Sequence, residues 1–266
     1  MRAAFITGGS SGIGLALAGR LAARGHPIAL FARDAGKLDA AALKLRRAHP
    51  ALVVSAHAVD VSKLDAATGA FRRAVDELGA PEWAIACAGI AEPGLFLDQP
   101  LSTMIDQMET NFGGSLAFSH AVAPAMAAQG GGHLVFVSSG AAFAGILGYA
   151  GYGASKFAVR GLAETLRVEL AGKGIEVTLA CPPDTDTPQL AYEAARKPDA
   201  TREITASGGV WSADAVAKAI LRGADAGRFL VAPGWQMTAL GHLHSLIAPG
   251  FRLWQRRIAR KHEGGA

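Results

Sequence analysis

The strongest constraint on this chain is a glycine-rich turn set between an apolar run and a helical segment. Ala3-Ala4-Phe5-Ile6-Thr7 reads as a buried strand, and Leu15 to Arg24 has helical spacing. Between them stands Thr7-Gly8-Gly9-Ser10-Ser11-Gly12-Ile13-Gly14. Glycines at 8, 12 and 14 let the backbone turn sharply and come close to a pyrophosphate. The helix start then offers free N–H groups and a partial positive charge to it. Alone, such a turn can be a plain structural feature. Its place after the first strand and before the first helix favours a dinucleotide cradle.

The same alternation runs through most of the chain. Candidate strands are 3–7, 27–32, 52–58, 83–87, 133–138 and 175–180, with a seventh at 228–232. Helical periods fill 12–24, 35–48 and 63–78. Such alternation predicts a parallel sheet covered on both faces. Leu134-Val135-Phe136-Val137 is apolar without alternation, as a strand buried on both sides should be. The fold class expected is therefore α/β: a doubly wound, Rossmann-like parallel sheet, one domain over 1–266, with a helical basic C-terminal tail. The length of 266 residues is enough to bury its core. Residues 182–210, rich in Pro, Asp, Thr and Gly, form the main irregular stretch. About 186–210 reads as a loop that closes over substrate.

Composition excludes several classes. With 50% hydrophobic and 18% charged residues the chain is neither disordered nor fibrous. Cys87 and Cys181 lie in or beside apolar runs and lack CxxC spacing. Two buried free thiols are expected, with no metal and no oxidising compartment. The first strand begins so early that no room remains for a leader peptide. No run of about 18 apolar residues occurs, so no spanning helix is expected. The location expected is cytoplasmic, with peripheral placement on the cytoplasmic membrane face as an option. The net charge is +4, and Arg252, Arg256, Arg257, Arg260 and Lys261 crowd the C-terminus. No aromatic-studded basic groove accompanies them, so nucleic acid is not an expected partner.

The second strand ends Ala29-Leu30-Phe31-Ala32-Arg33, and Lys37 follows one turn later. An acidic residue at this point would hold a ribose 2′-OH. Two cations fit a 2′-phosphate, which favours NADP(H), while Asp34 keeps NAD open. Farther on, Tyr149-Ala-Gly-Tyr152-Gly-Ala-Ser-Lys156 opens a helical stretch to about Leu170. Residues four apart share a helix face, so Tyr152 and Lys156 lie side by side. A nearby ammonium should lower the tyrosine pKa toward neutrality, and such a tyrosine can protonate a carbonyl as hydride arrives at carbon. Ser139 ends the strand before it, thirteen residues upstream. A serine at the C-terminal end of a parallel strand faces the ligand crevice and can steady a developing oxyanion. Ser138 is expected to be structural.

Taken in order, the Gly-x-x-x-Gly-x-Gly turn, Thr110-Asn111-Phe112, Ser139 and Tyr152-x-x-x-Lys156 resemble the short-chain dehydrogenase/reductase superfamily over residues 3 to about 190. The resemblance implies catalytic roles for Asn111, Ser139, Tyr152 and Lys156, with Asn111 in a helix holding a water that relays protons to Lys156. Asn111 can also be a helix-kinking core residue. The resemblance places Gly8, Ser10, Ser11, Gly12, Ile13, Gly14, Asp60, Val61, Gly89, Thr185 and Thr187 around the cofactor, Asp60-Val61 by adenine and the threonines by nicotinamide. Two departures stand out. Ala86-Cys87-Ala88-Gly89 replaces Asn-Asn-Ala-Gly, which leaves the bracing of that turn open, and Pro182-Pro183 replaces Pro-Gly.

Cys181-Pro-Pro-Asp-Thr-Asp-Thr-Pro188 is similar to the corresponding loop of 3-ketodihydrosphingosine reductases, as are Cys87-Ala88-Gly89-Ile90 and Ala32-Arg33-Asp34-Ala-Gly-Lys37-Leu38. The implied reaction is NADPH reduction of a 3-keto sphingoid base, a lipid-like substrate. Reduction of another carbonyl, such as a 3-oxoacyl thioester, and NADPH binding without turnover are the alternatives. In the tail (about 235–262), Leu240, Leu243 and Leu246-Ile247 recur at helical spacing, and Pro249-Gly250 should break the chain. Phe251, Trp254 and Ile258 then form an apolar stripe beside Arg252, Arg256 and Arg257. Such a helix either lies on a membrane surface or packs in a subunit interface. A homo-oligomer is expected.

Overall fold

The computed structural model describes residues 1–206 and 209–263. Strands β1 (Ala4–Thr7), β2 (Ile28–Ala32), β3 (Val54–Ala58), β4 (Trp83–Ala86), β5 (Gly132–Val137) and β6 (Ile175–Ala180) alternate with helices α1 (Gly12–Ala23), α2 (Ala35–Ala48), α3 (Leu64–Leu78), α4 (Leu101–Met108), α5 (Gly114–Ala128) and α6 (Ala150–Glu169). There follow β7 (Thr185–Asp186), α7 (Pro188–Ala194), α8 (Asp199–Thr205), β8 (Trp211–Ser212), α9 (Ala213–Asp225), β9 (Leu230–Val231) and α10 (Trp235–Glu263). Seven strands form one parallel sheet in the order β3-β2-β1-β4-β5-β6-β9.

The inner strands are apolar throughout because both sheet faces are covered. On one face Phe71 of α3 and Phe118 of α5 meet edge-to-face at 4.9 Å and join Val159 of α6 over the sheet. On the other, Leu17 of α1, Leu38 of α2 and Ile220 of α9 close the second core. Chain direction across the sheet reverses between β1 and β4, which opens a crevice beyond their carboxyl ends. That crevice is where the glycine turn and the end of β5 emerge.

Three expectations need correction. The stretch 182–210 is largely ordered: β7 pairs with β8, and α7 and α8 are helices, capped at α7 by Thr187, whose Oγ1 accepts from Leu190 N. Ser207 and Gly208 of that stretch lie outside the described residues. Asn111 sits in a π-helical turn, Glu109–Gly113, wedged between α4 and α5. Finally, Pro249 does not break the tail. Helix α10 continues through it and is interrupted instead at Leu243 (φ −116°, ψ 15°).

Candidate active site

Helix α1 begins at Gly12, and its Ser11 N-cap makes no side-chain capping bond. Its first N–H groups therefore face the crevice without a side-chain partner, ready for an anion. The glycines are sterically required. A Cβ on Gly14 would strike the carbonyl of Gly8, and one on Gly12, which has φ +52°, would lie 2.9 Å from Thr187 Cγ2. Side chains there would fill the cradle that a pyrophosphate needs. These residues fit a dinucleotide. Arg33 and Lys37 stand exposed beyond β2, and the Asp34 carboxylate is engaged as the α2 cap, accepting from Lys37 N at 3.0 Å. Two cations flanking an acid that is already engaged as a helix cap favour a phosphorylated ribose.

The turn after β4 lacks its asparagine and is braced from elsewhere. Thr7 Oγ1 accepts from the N–H groups of Cys87 and Ala88, both at 3.0 Å. Asn111 holds the next residue at both backbone groups: its Oδ1 accepts from Ile90 N at 2.8 Å, and its Nδ2 donates to Ile90 O at 3.0 Å. The same Nδ2 donates to Ser155 Oγ at 2.8 Å, tying the π-helical turn to α6. π-Turns of this kind concentrate at functional sites because they redirect a side chain inside a helix. Asp60 Oδ1 accepts from Ser62 N and Oγ, fixing the loop after β3, and Val61 beside it is buried against Gly114. Ser10 is half-buried in the glycine turn.

Tyr152 and Lys156 lie in the first turns of α6, with the ammonium 5.6 Å from the tyrosine ring centre. Lys156 is buried, and its Nζ donates to Val137 O at 3.0 Å. Ser139 is hydrogen-bonded to the Tyr152 hydroxyl, and its Oγ accepts from Ala141 N at 3.2 Å. Ser138 Oγ is turned away and donates to Lys156 O. A Cβ on Gly89 would come within 3.1 Å of Asn111 Oδ1 and 3.5 Å of Lys156 Nζ, so Gly89 lets the turn close on both.

The electrostatics differ from expectation. Burial, reinforced by Glu193, raises the Tyr152 pKa well above its ordinary value, and the Ser139 hydrogen bond only partly offsets this. Burial likewise lowers Lys156. Desolvation of the buried phenolate is the largest influence, and the nearby acids Glu193 and Asp184 act in the same direction. The tyrosine therefore keeps its proton, which is the form a proton donor needs. Cys87 and Cys181 are free thiols pushed up to about 12 by burial, though Cys87 is half-buried by surface exposure.

These groups line one cleft of about 220 Å³, running from Gly12 and Ile13 past Thr187 to Ser139, Tyr152 and Lys156. Thr185 is buried there and donates to Pro183 O at 2.8 Å. Arg33, Lys37, Asp60, Val61 and Asn111 stand outside the cleft wall. An apolar compartment of about 310 Å³ adjoins it, sharing Ser139, Ala141 and Pro183 and walled by Met237, Leu240 and Ile247 of α10. The sequence reading missed Thr7, Glu193 and Asp184. Thr7 had a local signal, a hydroxyl at the end of β1. The two acids had none, since only the fold brings them to the cleft.

A profile of the short chain dehydrogenase family matches residues 2–198. The chain belongs to that family. A 3-ketodihydrosphingosine reductase from Bos taurus is 38% identical over 247 residues, covering 92% of this chain and 74% of the relative. A 3-dehydrosphinganine reductase from Danio rerio is 37% identical over 241 residues, covering 88% and 73%. Among solved structures, a short-chain dehydrogenase from Sphingobium yanoikuyae in complex with NADPH superposes with a TM-score of 0.78 at 30% identity, covering 90% of each chain.

Proposed function

We propose that this short-chain oxidoreductase reduces the 3-keto group of 3-ketodihydrosphingosine to dihydrosphingosine with NADPH. The observation that carries the substrate reading is the apolar compartment opening beside Ser139, walled by α10. A long alkyl chain has somewhere dry to go within reach of Tyr152. The names of the bovine and zebrafish relatives support the same substrate.

Bound NADPH supplies the hydride that the carbonyl carbon receives. Tyr152 supplies the proton that the carbonyl oxygen takes, so ketone, hydride and proton sum to the alcohol. Ser139 donates a hydrogen bond to that oxygen as charge builds on it. Lys156, held by Val137, orients the ribose and feeds a proton back to Tyr152. Asn111 keeps the turn after β4 closed on Lys156 and holds the water of that relay. Arg33 and Lys37 receive the 2′-phosphate, and the α1 N-terminus with Gly8, Ser10, Ser11, Gly12, Ile13 and Gly14 receives the pyrophosphate. Asp60 and Val61 would border the adenine, and Gly89, Thr185 and Thr187 would lie toward the nicotinamide.

Helix α10 supports peripheral membrane contact, in a corrected form. Ile258 is buried and Phe251 half-buried against α8, so these two face the protein body, while Trp254 of the same stripe is exposed. Beside Trp254, the outward apolar residues include Trp235 (78% exposed), Leu243, Leu246 (79%) and Leu253, flanked by exposed Arg252, Arg256 and Arg257. Among the described residues no helix is long and apolar enough to cross a membrane. Leu101, Ile105, Phe157 and Val168, exposed on α4 and α6, support self-association.

The deciding assay follows NADPH oxidation with detergent-dispersed 3-ketodihydrosphingosine, alongside NADH and a 3-oxoacyl thioester. Turnover confined to the sphingoid ketone with NADPH is expected. Turnover of the thioester alone would overturn the substrate while leaving the proton-transfer scheme.

A further inference from the structure

Two acids of the cleft, Glu193 and Asp184, are used by no step above. Glu193, on α7, is buried at 8% exposure and lines the same cavity as Tyr152. Neutral donors satisfy both its oxygens. The Tyr149 hydroxyl donates to Oε2 at 2.7 Å and Gln189 Nε2 to Oε1 at 2.9 Å. Among the described residues no basic side chain is in ion-pair contact with it. Two buried lysines feel its charge from a distance: Lys197 lies 3.7 Å from Asp184 instead, and the Lys156 ammonium donates to Val137 O. A buried carboxylate with no cation in contact is costly, and a cation that binds beside it relieves that cost.

The position says which cation. Tyr149, which holds Glu193, has its ring 5.5 Å from that of Tyr152, tilted by 54°. Asp184 stands where the cofactor cleft and the apolar compartment meet. A substrate with its ketone at Tyr152 and its alkyl chain in the compartment has both acids on the wall of the cleft beside its head group. In a 3-keto sphingoid base the carbon next to the ketone carries an ammonium. We propose that Glu193, with Asp184 opposite, binds this ammonium and so sets the enzyme's preference for 2-amino ketones over plain ketones. The assignment rests on the substrate reading above. It gives the buried acid the partner it lacks, and burial, which already holds its carboxyl above the usual range, would be relieved by that partner. A site built around a polar group also rejects the analogue lacking it, because its own buried group is left unpaired.

The test compares kcat/KM for 3-ketodihydrosphingosine and a chain-matched ketone lacking the 2-amino group, using wild type, Glu193→Gln and Glu193→Asp. Wild type should prefer the amino ketone. That preference ratio should fall on the order of 10- to 100-fold in Glu193→Gln, as expected for a lost charge-assisted bond, and partly recover in Glu193→Asp. Equal losses on both ketones would mean that Glu193 merely supports Tyr149, and would overturn the assignment. Should the variants not fold, inhibition of wild type decides: dihydrosphingosine should inhibit at least ~10-fold better than its N-acetyl form, and equal inhibition would overturn it. Wild type that reduces the plain ketone but not the amino ketone would sink the substrate reading as well.

Discussion

Replacing Thr7 by valine keeps the shape of the side chain and deletes one oxygen. Thr7 is 2% exposed, and that oxygen is the acceptor for the N–H groups of Cys87 and Ala88. Water cannot replace it at this depth. An unsatisfied buried donor costs roughly 1–3 kcal/mol, and two adjacent donors share the loss, so about 3 kcal/mol is expected. At ~2.1 cal/mol/K of unfolding entropy per residue, 266 residues give about 0.56 kcal/mol/K. The melting midpoint should fall by about 5 °C. Urea unfolding monitored by tryptophan fluorescence, together with a thermal melt, gives both numbers. Thr7→Ser is the control: it keeps the acceptor, loses one methyl, and should cost about 1 kcal/mol. The turn it braces carries Gly89, so NADPH affinity should weaken in Thr7→Val more than in Thr7→Ser. If valine is within about 0.5 kcal/mol of wild type, or serine is as damaging, the two hydrogen bonds do not carry the turn and the reasoning fails.

Tyr152→Phe should lower kcat by ~10²–10⁴-fold while a fluorescence titration finds NADPH binding nearly intact; retained turnover would remove the tyrosine from the chemistry. Arg33→Ala should weaken NADPH by about 10- to 100-fold and NADH far less; equal losses would sink the 2′-phosphate assignment. Because burial raises the Tyr152 pKa, the proton stays on as pH rises. The difference in ultraviolet titration between wild type and Tyr152→Phe should therefore contain no tyrosinate below about pH 10. Ionisation near neutrality would mean that Lys156 dominates after all. Vesicles of anionic lipid should co-sediment the protein, and Trp235→Ala with Leu246→Ala should release it. Release by salt alone, with no effect of these substitutions, would reduce the contact to charge.

What could be read from the sequence was local. Strands such as Leu134–Val137 announce themselves by unbroken apolarity, and Tyr152 and Lys156 by a four-residue step on one helix. The seven strands consequently fall within two residues of expectation at most of their ends. What could not be read depends on distant partners. α7 and α8 looked irregular because they are short and gain support from elsewhere: Tyr149 on Glu193, and the Thr201 hydroxyl on Leu147 O at 3.0 Å. The inward turn of Ile258 was hidden for the same reason, since Gln255 beside it donates to Gly145 O and accepts from Leu147 N, both at 2.9 Å, more than a hundred residues away. The tyrosine's raised pKa is a property of the whole enclosure, and no spacing rule encodes it.

Helix α10 walls the apolar compartment, yet none of its residues lines the cleft that runs from Gly12 to Tyr152. The molecule is thus divided between a conservative half and a permissive one. Changes at Met237, Leu240 or Ile247 can lengthen or shorten the space for a hydrocarbon chain without touching nucleotide or proton donor. Selection on lipid chain length, or an engineer seeking bulkier ketones, can vary the α10 residues that wall the compartment at little risk to the chemistry.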